Sequence, residues 1–97
     1  MNLEVIETIC KKETKDAYYW FQHALKYNLF PVNRSYIDQN IYHMKVAIGQ
    51  KVMKKLFKLY SPSMAQIEVI CGYIEKYKSI AIRYALKYGD KFLIKAK

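Results

Sequence analysis

The sequence predicts an all-α fold, a small bundle of three long helices followed by a short C-terminal tail. Three observations lead there. Apolar residues recur at three- and four-residue spacing along most of the chain. Only three glycines and two prolines interrupt 97 residues, which favours a few long elements over many short strands. An apolar share of 53% is enough to fill a core, and a single domain of this size buries roughly 60% of the surface its unfolded chain would expose. Residues 1–97 are therefore expected to form one helical-bundle domain.

The first helix is expected from about Leu3 to Tyr27. Its stripe is Leu3, Ile6, Cys10, Ala17, Phe21, Ala24 and Leu25, widened by Ile9, Trp20 and Tyr27. The polar stretch Lys11 to Asp16 weakens its middle. A break there, with Thr14 or Asp16 as a new N-cap, would make four helices. Asn28 tolerates the left-handed conformation that ends a helix, and Pro31 prevents continuation.

Ser35 followed by Asp38 resembles a capping box and predicts a second helix lasting to about Tyr60. Its stripe is Ile37, Ile41, Met44, Ile48, Val52, Leu56 and Leu59. Tyr42, Val46, Met53 and Tyr60 extend the apolar arc beyond what one buried face needs. This helix is expected either at the centre of the bundle or in an oligomer contact such as a homodimer. Ser61-Pro62-Ser63 ends it. Pro62 suits a first helical turn, and Ser63 with Gln66 makes a capping box for the third helix. That helix carries Ile67, Ile70, Ile74, Tyr77, Ala81, Tyr84, Ala85 and Tyr88 to an expected stop at Gly89. The tail Lys91-Phe92-Leu93-Ile94 is too short to classify.

Charge is segregated along the chain. Before Pro31, Lys11, Lys12, Lys15 and Lys26 are balanced by Glu4, Glu7, Glu13 and Asp16. From Pro31 onward thirteen basic residues face four acidic ones, so the whole formal excess of +9 lies there. The N-terminal acids do not suit a signal peptide and no apolar run spans a membrane, so a cytoplasmic location is expected. Cys10 and Cys71 fall within apolar stripes and are read as small buried hydrophobes in a reducing compartment. Fifteen lysines against two arginines, with abundant Ile, Tyr and Asn, suggest an AT-rich genome, such as that of a phage or mobile element.

Catalytic signatures are missing. His23 and His43 have no ligand-type residue at helical spacing, so no metal site is expected. No Gly-rich phosphate loop or nucleophile elbow occurs, and no cofactor and no enzymatic activity are expected. The basic surface is the stronger candidate. Lys51, Lys54 and Lys58 are placed together on the side of helix two opposite its core stripe. Lys76, Arg83 and Lys87 form a second row beside Tyr73, Ile80 and Tyr84. Lysines neutralise phosphates and aromatic faces stack on unpaired bases, so the two rows together suggest a groove for nucleic acid, DNA rather than RNA. Tyr77, Tyr84 and Tyr88 align with the isoleucine stripe and are read as core.

Tyr18-Tyr19-Trp20-Phe21 points around most of a helix, so one core cannot take all four rings. Trp20 and Phe21 fit the core stripe. Tyr18 and Tyr19 are left as an exposed pair suited to a protein partner. The expected function is therefore a non-enzymatic accessory protein that binds single-stranded or sequence-tolerant DNA and docks on a replication, priming or transcription enzyme. The alternative is an inhibitor or immunity-type bundle acting on a protein or an anionic membrane surface without nucleic acid.

Overall fold

The computed structural model describes residues 2–96, which form three helices joined by two short loops. Helix α1 spans Leu3–Lys26, α2 spans Arg34–Leu59 and α3 spans Met64–Ala96. Each packs on the other two in an up-down-up arrangement. The molecule measures 50 × 19 × 19 Å; at about 1.5 Å per residue, α3 alone accounts for the long axis.

Helix α1 is continuous through the polar stretch. Asn2 caps it, its side chain accepting from the Val5 N–H at 2.9 Å. Within the stretch Lys11 to Asp16, where a break was expected, Glu13 and Thr14 are instead buried. Lys55 of α2 reaches the Glu13 carboxylate at 3.3 Å, so the helix carries an acid into the interior without leaving its charge unpaired. At the other end Asn28 adopts φ 54°. The Leu29 N–H donates to the Ala24 carbonyl at 2.9 Å and the Asn28 N–H to that of Leu25 at 3.3 Å. These are the two bonds of a Schellman motif.

The start of α2 differs from the expectation. Asn33, not Ser35, is the N-cap, accepting from the Tyr36 N–H at 3.0 Å. Both residue types cap well, and packing decides between them. With Asn33 as cap, Val32 and Ile37 take the two positions of a hydrophobic staple, and both pack in the core. Asp38 is then free of capping and pairs with Arg34.

The Ser63 box forms as expected. The Ser63 N–H donates to Gln66 Oε1 at 2.8 Å and the Gln66 N–H to Ser63 Oγ at 3.3 Å. Pro62 precedes this cap rather than entering the first turn. Helix α3 does not stop at Gly89; it continues to Ala96 and absorbs the expected tail. Phe92 and Leu93 pack against the core from this extension.

One hydrophobic core gathers all three helices. Leu25, Ile37, Ile48, Val52, Leu56, Ile70 and Cys10 are fully buried within it. Several stripe residues fall outside. Leu3, Trp20, Tyr27, Leu59 and Tyr84 are exposed, and so is Cys71, so only one of the two free thiols is the buried hydrophobe anticipated. Of the arc that widened α2, Met53 and Tyr60 pack against the core while Tyr42 is exposed. Among the described residues no helix is long and apolar enough to cross a membrane.

Candidate nucleic-acid interface

The two basic rows border different clefts. Lys51, Lys54 and Lys58 are exposed, but they do not lie opposite the core stripe. They line the edge of the α1–α2 cleft together with Lys12, Glu13, Lys55 and Asp16. Two carboxylates therefore stand among these lysines. Glu13 is held by Lys55 at 3.3 Å and Asp16 by Lys12 at 3.4 Å. Charge balance along the sequence hid this, because the acids come from the first helix.

The second row lies on the other side of α1. Arg83 and Lys87 flank Ile80 and Tyr84 on the outer face of α3. Lys76 stands over the rings of Tyr73 and Tyr77, 5.9 and 5.6 Å from their centroids. Tyr77 is core as expected, its hydroxyl donating to Glu7 Oε1 at 2.8 Å. Burial first, and this carboxylate second, push its phenol up to about 12. Tyr84 is not core. It is 58% exposed, with the ring of Tyr18 of α1 beside it.

Tyr18 is accordingly not one of an exposed pair. Its ring lies 6.2 Å from that of Tyr84 and 6.5 Å from that of Tyr88, and its hydroxyl donates to the Tyr84 carbonyl at 3.4 Å. Burial and the neighbouring phenols raise its pKa above the usual tyrosine value. The exposed pair is Tyr19 with Trp20, their rings 5.8 Å apart. The indole lies at the rim of an α1–α2 cleft lined by Ala17, Ala24 and Ala47, beside the core rather than in it. From Tyr19 the aromatic surface runs on through His23 to Tyr27, with centroid separations of 6.0 and 4.6 Å.

These placements define an α1–α3 seam that the sequence reading missed. Its first part is a depression lined by Lys11, Lys15, Tyr18, Ile80 and Tyr84. Next comes one lined by Tyr19, Gln22, His23, Lys26, Tyr27 and Tyr88. Arg83 and Lys87 border it on α3. From Lys11 to Tyr27 the helix rises about 24 Å. No carboxylate lines any of these depressions, and Lys15, Lys26, Arg83 and Lys87 form no ion pair among the described residues. Glu13 and Asp16 of α1 are engaged on the α2 side, with Lys55 and Lys12, whereas Glu7 borders the first depression through Tyr77 and Lys11, two of the residues that line it. A signal for the seam was present. Lys11, Lys15 and Lys26 are spaced by four and eleven residues, which keeps them on one helical face.

Among the described residues no three His, Cys, Asp or Glu side chains converge as a metal site would need. The arrangement defines a class, a three-helix bundle with one cationic aromatic seam and one mixed-charge lysine cleft. Comparisons with protein families, curated proteins and solved structures found no match to this chain.

Proposed function

We propose that this protein is a non-enzymatic nucleic-acid-binding bundle that holds an unpaired strand along the α1–α3 seam. One observation carries the reading: five cations and several tyrosine rings share a seam about 24 Å long, where the bordering Glu7 carboxylate is engaged by Tyr77 and Lys11. Lysine and arginine there release counterions from phosphates, and exposed rings such as Tyr84 and Tyr19 offer stacking faces to any base. Such contacts are tolerant of sequence. The lysine cleft of α1–α2 adds phosphate contacts without rings, and supplements the seam rather than replacing it.

Fluorescence anisotropy with labelled single-stranded DNA, single-stranded RNA and duplex DNA tests this. Single strands are expected to bind more tightly than duplex, with affinity falling steeply as salt is added. No binding at low salt, or binding indifferent to salt, overturns the proposal.

A second reading concerns a protein partner. Trp20 is 60% exposed at the rim of the α1–α2 cleft, and an exposed indole beside a concave surface is the kind of anchor that dominates protein interfaces. In an accessory protein of a replication, priming or transcription enzyme this edge would face the enzyme. Equal recovery of partners by wild-type protein and a Tyr19→Ala, Trp20→Ala variant in a pull-down counts against that docking role.

A further inference from the structure

The strand-binding reading leaves open whether the seam merely tracks phosphates or takes a base. One part of it is built differently from the rest. Between Lys11, Thr14 and Tyr18 of α1 and Tyr77, Ala81 and Tyr84 of α3 lies an open depression of about 210 Å³ whose walls are almost entirely carbon. Two of its rings are fixed by hydrogen bonds, Tyr77 to Glu7 at 2.8 Å and Tyr18 to the Tyr84 carbonyl at 3.4 Å. The third, Tyr84, is more than half exposed. Lys11 and Lys15 stand at the mouth, with the Glu7 carboxylate 4.0 Å from Lys11 Nζ.

Thr14 brings an unpartnered polar group to the same depression. It is 9% exposed, and its hydroxyl is a buried side-chain oxygen with no hydrogen-bond partner. A buried polar group without a partner costs stability. A threonine in a helix has two accessible χ1 rotamers, so a turn about χ1 can bring this hydroxyl from its buried position to the wall of the depression, where a ligand group meets it without an existing bond being broken.

Resting on the strand-binding reading, we infer that this depression is a base slot, which takes one unstacked nucleobase against Tyr84 while Lys11 and Lys15 hold the phosphates on either side. An open depression of about 210 Å³ has room for a flat ring, the carbon walls favour its faces, and the cations match the charge of its backbone. A hydroxyl that both donates and accepts can meet the edge of any base, so the slot discriminates base from no base rather than one base from another.

The test uses deoxynucleoside monophosphates, base-free deoxyribose phosphate and a single-stranded oligonucleotide. Amide chemical shifts at Thr14, Tyr18 and Ala81 are expected to move with the nucleotides and stay still with the base-free sugar phosphate. Tyr84→Ala, at an exposed position, is expected to weaken oligonucleotide binding about tenfold at every salt concentration, the value of one lost stack. Thr14→Val, near in shape and compatible with the fold, is expected to weaken nucleotide binding while leaving the salt dependence unchanged. If oligonucleotides bind but Tyr84→Ala matches wild type and the slot amides do not move, the base slot is wrong and strand binding stands. If nucleotides move the slot amides but no oligonucleotide binds, strand binding falls and the depression is a mononucleotide site rather than the base slot inferred. Binding of anionic lipid vesicles with no response to nucleotide or oligonucleotide overturns both.

Discussion

Gly89 of α3 sits directly under Ile37 of α2, so that a Cβ built on the glycine would lie 2.9 Å from Ile37 Cγ2. Ile37 is fully buried and β-branched, with little room to turn aside. The glycine is thus a notch that admits α2 rather than a helix stop. Near it Arg34 bridges the same two helices, donating to Asp90 at 2.8 Å and to Asp38 at 3.0 Å, which raises the guanidinium pKa further. Gly89→Ala is expected to lower stability by about 1–2 kcal/mol, because overpacking outweighs the helix-propensity gain of roughly 1 kcal/mol. Gly72, with nothing within 4 Å of its Cβ position, provides the control. Gly72→Ala is expected to raise stability by about 0.5–1 kcal/mol. Urea denaturation of the two variants checks the pair, and equal shifts would show that the notch is not tight.

The Glu13–Lys55 pair holds α1 to α2 at the point where α1 is most polar. The Glu13 side chain is only 10% exposed, that of Lys55 40%. Removing the lysine strands a carboxylate in the interior, and removing both leaves an apolar contact in its place. Lys55→Met is therefore expected to destabilise by about 1–3 kcal/mol. Adding Glu13→Leu to it is expected to recover most of that loss. A double-mutant cycle by thermal or urea unfolding reads the coupling directly; additive effects would mean that the pair contributes nothing to the fold.

Local chemistry was the legible part of this fold where one capping residue had no rival nearby; at the start of α2, where Asn33 and Ser35 both cap well, packing of Val32 and Ile37 decided. Ser63 with Gln66 and Asn28 before Pro31 were readable because a cap or a left-handed turn is decided within four or five residues. Gly89 was misread because the same residue type serves as helix stop and as packing notch, and only the position of Ile37 distinguishes them. The rows showed the same division. Exposure of Lys51, Lys54 and Lys58 followed from periodicity, but the approach of Glu13 and Asp16 depends on how α1 and α2 are set against each other. Tyr18 and Trp20 exchanged roles for a related reason. The wheel placed each ring relative to its own helix, whereas burial was settled by the facing residues, Tyr84 and Tyr88 for one and a row of alanines for the other.

Stability should fall at alkaline pH through two buried acids. Burial, with a smaller push from Glu7, raises Cys10 from 9.0 to about 11. Burial and the Glu7 hydrogen bond raise Tyr77 from 10.0 to about 12. Both hold their protons more tightly in the folded chain than in the unfolded one. Their contribution is complete below about pH 9 and is lost as pH rises toward about 12, with a slope of at most about 1.4 kcal/mol per pH unit for each group. Tyr77→Phe is expected to cost about 1 kcal/mol at neutral pH through the lost hydrogen bond, and to flatten the upper part of the alkaline decline. Urea unfolding across this pH range checks both effects. An unchanged alkaline slope in the variant would remove Tyr77 from the linkage.

The two basic surfaces should differ in how much each contributes to binding a strand. Changing Lys11, Lys15, Arg83 and Lys87 to Gln removes cations from a seam where, of the four, only Lys11 is paired, with Glu7, among the described residues. Each lost phosphate contact is expected to reduce the salt slope by about 0.7 on a single strand, so the quadruple variant should lose up to about 3. Changing Lys51, Lys54 and Lys58 to Gln removes charge from a cleft where Glu13 and Asp16 already offset part of it. A smaller loss in slope and affinity is expected there, and stacking on Tyr84 should be untouched. Anisotropy titrations at several salt concentrations separate the two variants. If the α2 variant loses more than the seam variant, the strand runs along α2, and the carboxylates beside those lysines do not screen them.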